Sequence, residues 1–186
     1  MKKIAMAFIL SLFATSALAK VNVVATLPFI GSLAKEIGGD RIELTVLVKP
    51  NRDPHFIEAK PSMILAARQA DILMYNGLDL ESGYLPVLLE SSRNPAIQPG
   101  KAGNLDCSRY VEPIERLLSG DRSMGDVHPL GNPHYIYSTK NIFRIAEGMT
   151  ETLSAVDTVN TDFYKERLAV FKVRFNKKQA EWGKGQ

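Results

Sequence analysis

The chain has 186 residues, 45% of them hydrophobic and 23% charged, a composition that excludes an intrinsically disordered polypeptide and suits one domain with a real core. Removing Lys2 and Lys3 with the leader described below takes 23 basic residues to 21 against 20 acidic, a balance near +1. That balance gives no electrostatic case for nucleic acid or an anionic membrane surface as partner.

Residues 1–19 read as a secretory leader. Lys2 and Lys3 form a basic start, IAMAFILSLFA is an apolar run too short for a spanning helix, and Ala17-Leu18-Ala19 has the small-x-small pattern of a cleavage site. No cysteine stands at that site, so a lipid anchor is not expected and the mature chain should be free in a periplasm. The single cysteine, Cys107, cannot pair internally and reads as an inert thiol.

From Val21 onward the pattern alternates. VNVVAT (21–26) is a strand run, and LPFIGSLAKEIGG (27–39) has helical spacing and a glycine stop. RIELTVLV (41–48) alternates with β-branched residues. Pro61 is placed at the first turn of a helix through Ala70, and DILMYN (71–76) reads as another strand. This βαβαβ rhythm predicts an α/β fold with a parallel sheet flanked by helices.

Residues 80–91 read as a helix in which Pro86 marks a kink or the true start. Residues 93–133 are turn-rich and weakly patterned. Ser138 stands where it can cap a helix striped with Ile142, Ile145, Ala146, Met149, Leu153 and Val156. A long helix from about Thr161 to Trp182 carries Tyr164, Leu168, Phe171, Phe175 and Trp182 on one side. Its first part should bury against the preceding helix; the exposure expected of Phe175 and Trp182 follows from the resemblance given below, which implies a second lobe on which that face would pack.

Two loops concentrate the chemistry. DPHFIEAKPS (53–62) follows a strand, and GNPHYIYSTKN (131–141) leads into a helix; ligand sites in open α/β sheets lie beyond strand carboxyl ends. Each contains a Pro-His pair, and proline lowers the ordering cost of a fixed imidazole. His55 and His134 are therefore candidate metal ligands, although a histidine in such a loop is more often solvated or satisfied by the turn. His128, the third histidine, is a peripheral candidate at most. Glu58 offers oxygen three residues after His55, but helix-end chemistry explains it as well.

These stretches carry a resemblance. VVATLPFIGSLAKEIGGDRIELTVLVKPNRDPHFIEAKPS, ARQADILMYNGLDLE and GDVHPLGNPHYIYSTKNIFRIAEGMTETLSAVD are similar to the periplasmic metal-binding proteins of zinc and manganese ABC importers. That is the cluster A-I solute-binding family, related to the adhesin lipoproteins. The resemblance implies metal held between two lobes joined by one long helix, with His55 and His134 as the ligands of the first lobe. It implies Zn2+, with Mn2+ possible, as transported cargo and not a catalytic cofactor. It further implies an ABC permease with its ATPase as partner.

On this reading residues 1–19 are the leader, 20–158 the metal-binding lobe and 159–186 the linker helix, with the second lobe and its ligands absent. Two imidazoles are half of a tetrahedral zinc set, so binding by this lobe should be weak. Two alternatives belong to other classes. One is a secreted zinc metallohydrolase with Glu58 as general base, which lacks an HExxH run or a carboxylate-rich cluster. The other is a partial transporter product that folds but delivers nothing.

Overall fold

The computed structural model describes residues 19–114 and 130–182. The leader reading over residues 1–18 and the peripheral candidate His128 lie outside the described residues.

Four parallel strands form one sheet in the order β2-β1-β3-β4. They are β1 (Val21–Ala25), β2 (Ile42–Val46), β3 (Ile72–Tyr75) and β4 (Asn104–Asp106). The two inner strands are near-continuous apolar runs, and their Val23, Val24, Ile72, Leu73 and Met74 are almost wholly buried. Strands covered on both faces need that composition, whereas the edge strand β2 exposes every second residue or more. β1 aligns with β2 through Val21–Ile42 and with β3 through Val23–Ile72.

The helices are α1 (Pro28–Gly38), α2 (Pro61–Gln69), α3 (Leu85–Ser92), α4 (Thr139–Val156) and α5 (Thr161–Trp182). Pro28 opens α1 where its missing N–H costs nothing, and Gly39, at φ 56°, closes it by donating its N–H to the Lys35 carbonyl. Ile30, Leu33, Ala34 and Ile37, spaced 3, 1 and 3, form its buried face. α1, α4 and α5 pack on one another, and α2 packs on α3.

Three sequence expectations change in detail. The helix expected over 80–91 starts at Leu85, so Pro86 marks a start and not a kink. The weakly patterned 93–133 stretch contains β4, which presents one buried side chain, Leu105, and so carries almost no alternation. Ser138 occupies the position before α4 without a capping bond from its side chain.

The long helix follows its stripe part of the way. Tyr164 and Phe171 are buried, and Trp182 is 65% exposed. Phe175, expected to be exposed, is instead half-buried, with ring centres 5.1 Å from Phe143 and 5.5 Å from Phe171. α4 presents Phe143 to it, a partner that the α5 pattern alone does not disclose. Arg167 donates from Nε and Nη2 to the Glu36 carbonyl at 2.8 and 2.6 Å, and Arg174 reaches the Glu36 carboxylate at 2.7 Å. These bonds fasten α5 to the end of α1.

Candidate metal centre

β1 is followed in space by β2 on one side and β3 on the other, so the chain reverses direction across the sheet between β1 and β3. Crevices at such reversals, beyond the strand carboxyl ends, are where open α/β sheets hold ligands. The two Pro-His loops are found together. The imidazole centres of His55 and His134 lie 5.6 Å apart, with ring planes inclined at 52°.

Both loops are built alike. In Asp53-Pro54-His55 the Asp53 Oδ1 accepts the N–H of His55 at 3.0 Å, and in Asn132-Pro133-His134 the Asn132 Oδ1 accepts the N–H of His134 at 2.9 Å. Proline has no N–H of its own, so the side-chain oxygen closes its turn on the histidine amide. A short 3-10 turn spans Pro54–Phe56 in the first loop, and another, Tyr135–Tyr137, follows His134 in the second. The proline fixes φ at one residue, and the Asp or Asn fixes the amide of the next.

Asp53 does more than close the turn. Its Oδ1 also lies 2.7 Å from Nδ1 of His55. A carboxylate can only accept, so Nδ1 carries the proton, and of the two ring nitrogens Nε2 is the one that could serve as a metal ligand. The bond from the His55 ring, followed by that from its amide, holds the Asp53 carboxyl below the usual carboxylate range. The His55 side chain is 14% exposed, whereas His134 is exposed.

Behind the loops, the strand ends hold a buried carboxylate. Glu81 is 2% exposed and accepts the Thr26 hydroxyl at 2.7 Å. Burial raises its pKa, against the lowering effect of its hydrogen bonds to Thr26, Asn76 and Gly77. Cys107 is fully buried and its thiol is pushed well up by desolvation, in keeping with an inert thiol.

Among the described residues no group of three or more His, Cys, Asp or Glu is placed to hold a metal. Among the described residues His55 and His134 stand as a pair, and Glu58, exposed in the segment before α2, does not complete them. A cleft of about 460 Å³ opens beside His134, lined by Glu112, Lys140 and Arg144 among others, with Arg144 paired to Glu112 at 3.4 Å. Sequence reasoning credited the rigidity of both loops to proline and missed Asp53 and Asn132. The repeated Asx-Pro-His triplet was the available signal.

A family model described as zinc-uptake complex component A, periplasmic, matches residues 23–185. The chain belongs to that family. It is 30% identical over 159 residues to the metal ABC transporter substrate-binding lipoprotein FimA of Streptococcus parasanguinis, covering 85% of this chain and 49% of that protein. It is also 30% identical over 163 residues to the manganese ABC transporter substrate-binding lipoprotein PsaA of Streptococcus pneumoniae, covering 87% and 50%. Among solved structures, the crystal structure of ZnuA superposes with a TM-score of 0.71 at 25% identity, covering 89% of this chain and 60% of that one. The Mn-bound periplasmic metal binding protein from Candidatus Liberibacter asiaticus gives 0.65 at 25%, covering 83% and 52%.

The chain spans about half the length of the curated relatives it matches. The zinc-uptake family consists of transport components and not enzymes, so the metallohydrolase alternative is set aside. No helix among the described residues is long and apolar enough to cross a membrane.

Proposed function

We propose that this chain is the metal-receiving lobe of a periplasmic binding component, capturing a divalent transition metal for an ABC permease and its ATPase. His55 and His134 are its ligands. The observation that carries the reading is the 5.6 Å approach of two imidazoles from loops far apart in sequence.

The ligand type supports zinc over manganese as cargo, since imidazole nitrogen is a preferred zinc donor and octahedral oxygen sets are the manganese preference.

The remaining ligands belong to a surface facing this lobe. Phe56 and Tyr137, at the ends of the two 3-10 turns, are 77% and 87% exposed, and large apolar groups beside a half-filled ligand set suit closure by another surface. On this division residues 20–158 are the lobe and 159–186 the linker helix, preceded by a leader at 1–19.

Calorimetry with zinc and manganese chlorides tests the proposal. Zinc should bind weakly and manganese more weakly still. Zinc binding should vanish in His55→Ala and in His134→Ala and change far less in His128→Ala. Unaltered zinc binding in the His55→Ala/His134→Ala double variant would show that the pair is not the site.

A further inference from the structure

His134 is held from behind by a residue that belongs to neither loop. Asn76, fully buried at the end of β3, donates from Nδ2 to the Pro133 carbonyl at 3.1 Å, and its own carbonyl accepts the hydroxyl of Tyr135. Pro133 and Tyr135 are the two neighbours of His134. A single residue thus grips the chain on both sides of the exposed imidazole, across 57 and 59 positions of sequence.

Asn76 is itself fixed. Its N–H and that of Gly77 donate to the two oxygens of Glu81, at 2.7 and 3.1 Å. For Glu81 to reach back so soon, the chain reverses through three consecutive residues of positive φ: Gly77 at 81°, Leu78 at 53° and Asp79 at 62°. Two of these are not glycine, and side chains in that region hold strain that persists only where the surroundings impose it. Gly77 has no alternative residue, because an added Cβ would collide with the Asp106 carboxylate and Ser108. Thr26, at the end of β1, closes the set by donating to Glu81 at 2.7 Å.

We propose that Asn76 is the positioning residue of the second Pro-His loop. Through Pro133 and Tyr135 it keeps the His134 imidazole beside that of His55, and Glu81 and the left-handed turn keep Asn76 in place. The functional meaning rests on the metal-holding reading of the two histidines; the positioning itself does not. α4, which begins at Thr139, adds one bond from Asn141 Nδ2 to the Tyr135 carbonyl at 3.1 Å, whereas the strand end holds the chain on both sides of His134. Tyr135 suits the task because its phenol is buried, and burial raises its pKa and keeps it a hydrogen-bond donor.

Two NMR readouts on the whole chain separate positioning from general stability. In the unaltered protein without metal, the rings of His55 and His134 should show a mutual nuclear Overhauser contact. Long-range proton–nitrogen spectra should then show both imidazoles shifting together as zinc chloride is added. Tyr135→Phe removes one hydroxyl and Asn76→Ala one amide; in each the ring contact should weaken or vanish. The His134 signals should then require about tenfold more zinc, the lower end of what loss of an outer support costs a metal site.

Tyr164→Phe is the control. It removes a buried phenol bond to Asp157 at the opposite end of α4, lowering the melting temperature while leaving the ring contact and the zinc titration unchanged. Should Asn76→Ala fail to fold, Tyr135→Phe carries the test alone. An unchanged ring contact and an unchanged titration in Tyr135→Phe would overturn the proposal. If the ring contact depends on Asn76 and Tyr135 as stated but zinc shifts neither ring of the unaltered chain, the positioning stands and the metal reading fails.

Discussion

Replacing Asp53 separates the two things its carboxylate does. Asp53→Asn keeps an oxygen for the His55 amide and for Nδ1–H and removes the charge; Asp53→Ala removes the turn closure as well. The 2.7 Å approach to Nδ1 is in the range of a charge-assisted bond. The Asp53 side chain is 54% exposed, however, so water screens much of its electrostatic influence on the imidazole. Its orienting effect is geometric and is not screened. Loss of a carboxylate behind a ligating histidine typically costs a site about 10- to 100-fold in affinity. Asp53→Asn should therefore weaken zinc binding by about tenfold, and Asp53→Ala should approach about a hundredfold. Zinc titration against a chromophoric chelator at pH 7 reads the change, and the melting temperature should hardly move because Asp53 lies at the surface. An Asp53→Ala chain within about twofold of the unaltered affinity would refute the claim that this carboxylate orients His55.

Two further outcomes follow from burial. The pKa of Glu81 is raised above its ordinary value of 4.5, so its contribution to stability is complete below that pH and is lost as pH rises through the raised value. Relative to Glu81→Gln, the unaltered chain should thus lose melting temperature as pH climbs from 4.5, and parallel pH profiles for the two would contradict this. Along α5, urea unfolding should show Phe171→Ala costing about 3–5 kcal/mol, Phe175→Ala less, and the exposed Trp182→Ala under about 0.5 kcal/mol. Three similar losses would mean that α5 does not fasten to the lobe in the graded way described.

The legible parts of the fold were those in which a single segment carries its own evidence. β1 and α1 announce themselves through an apolar run, Pro28 and Gly39, and α4 through the stripe ending at Val156. β4 does not, because three residues with one buried side chain show no period; its place is set by pairing with β3 from Leu73–Asn104 to Tyr75–Asp106. The burial of Phe175 is hidden for a similar reason, since its cover is Phe143 on another helix. At the site, His55, His134 and the prolines that frame them could be read, whereas the Asx before each proline was visible without its role. Asn76 could not be read. An Asn-Gly pair after a strand reads as a turn, and nothing local reveals that its amide reaches Pro133.

The arrangement suits cargo that must be released. A resident metal is held best by a closed set of ligands, whereas on the proposed function this lobe offers two imidazoles and leaves the other positions to a facing surface. What the lobe can contribute is low entropy. Pro54 and Pro133 fix the backbone, Asp53 and Asn132 hold the histidine amides, and Asn76 anchors the second loop, so little ordering cost is left when metal arrives. Preorganisation of this kind raises affinity without adding ligands. On the proposed function the strength of capture would then depend on whether the facing surface is closed, and reopening it would return the metal to the two-imidazole state, from which it would leave readily.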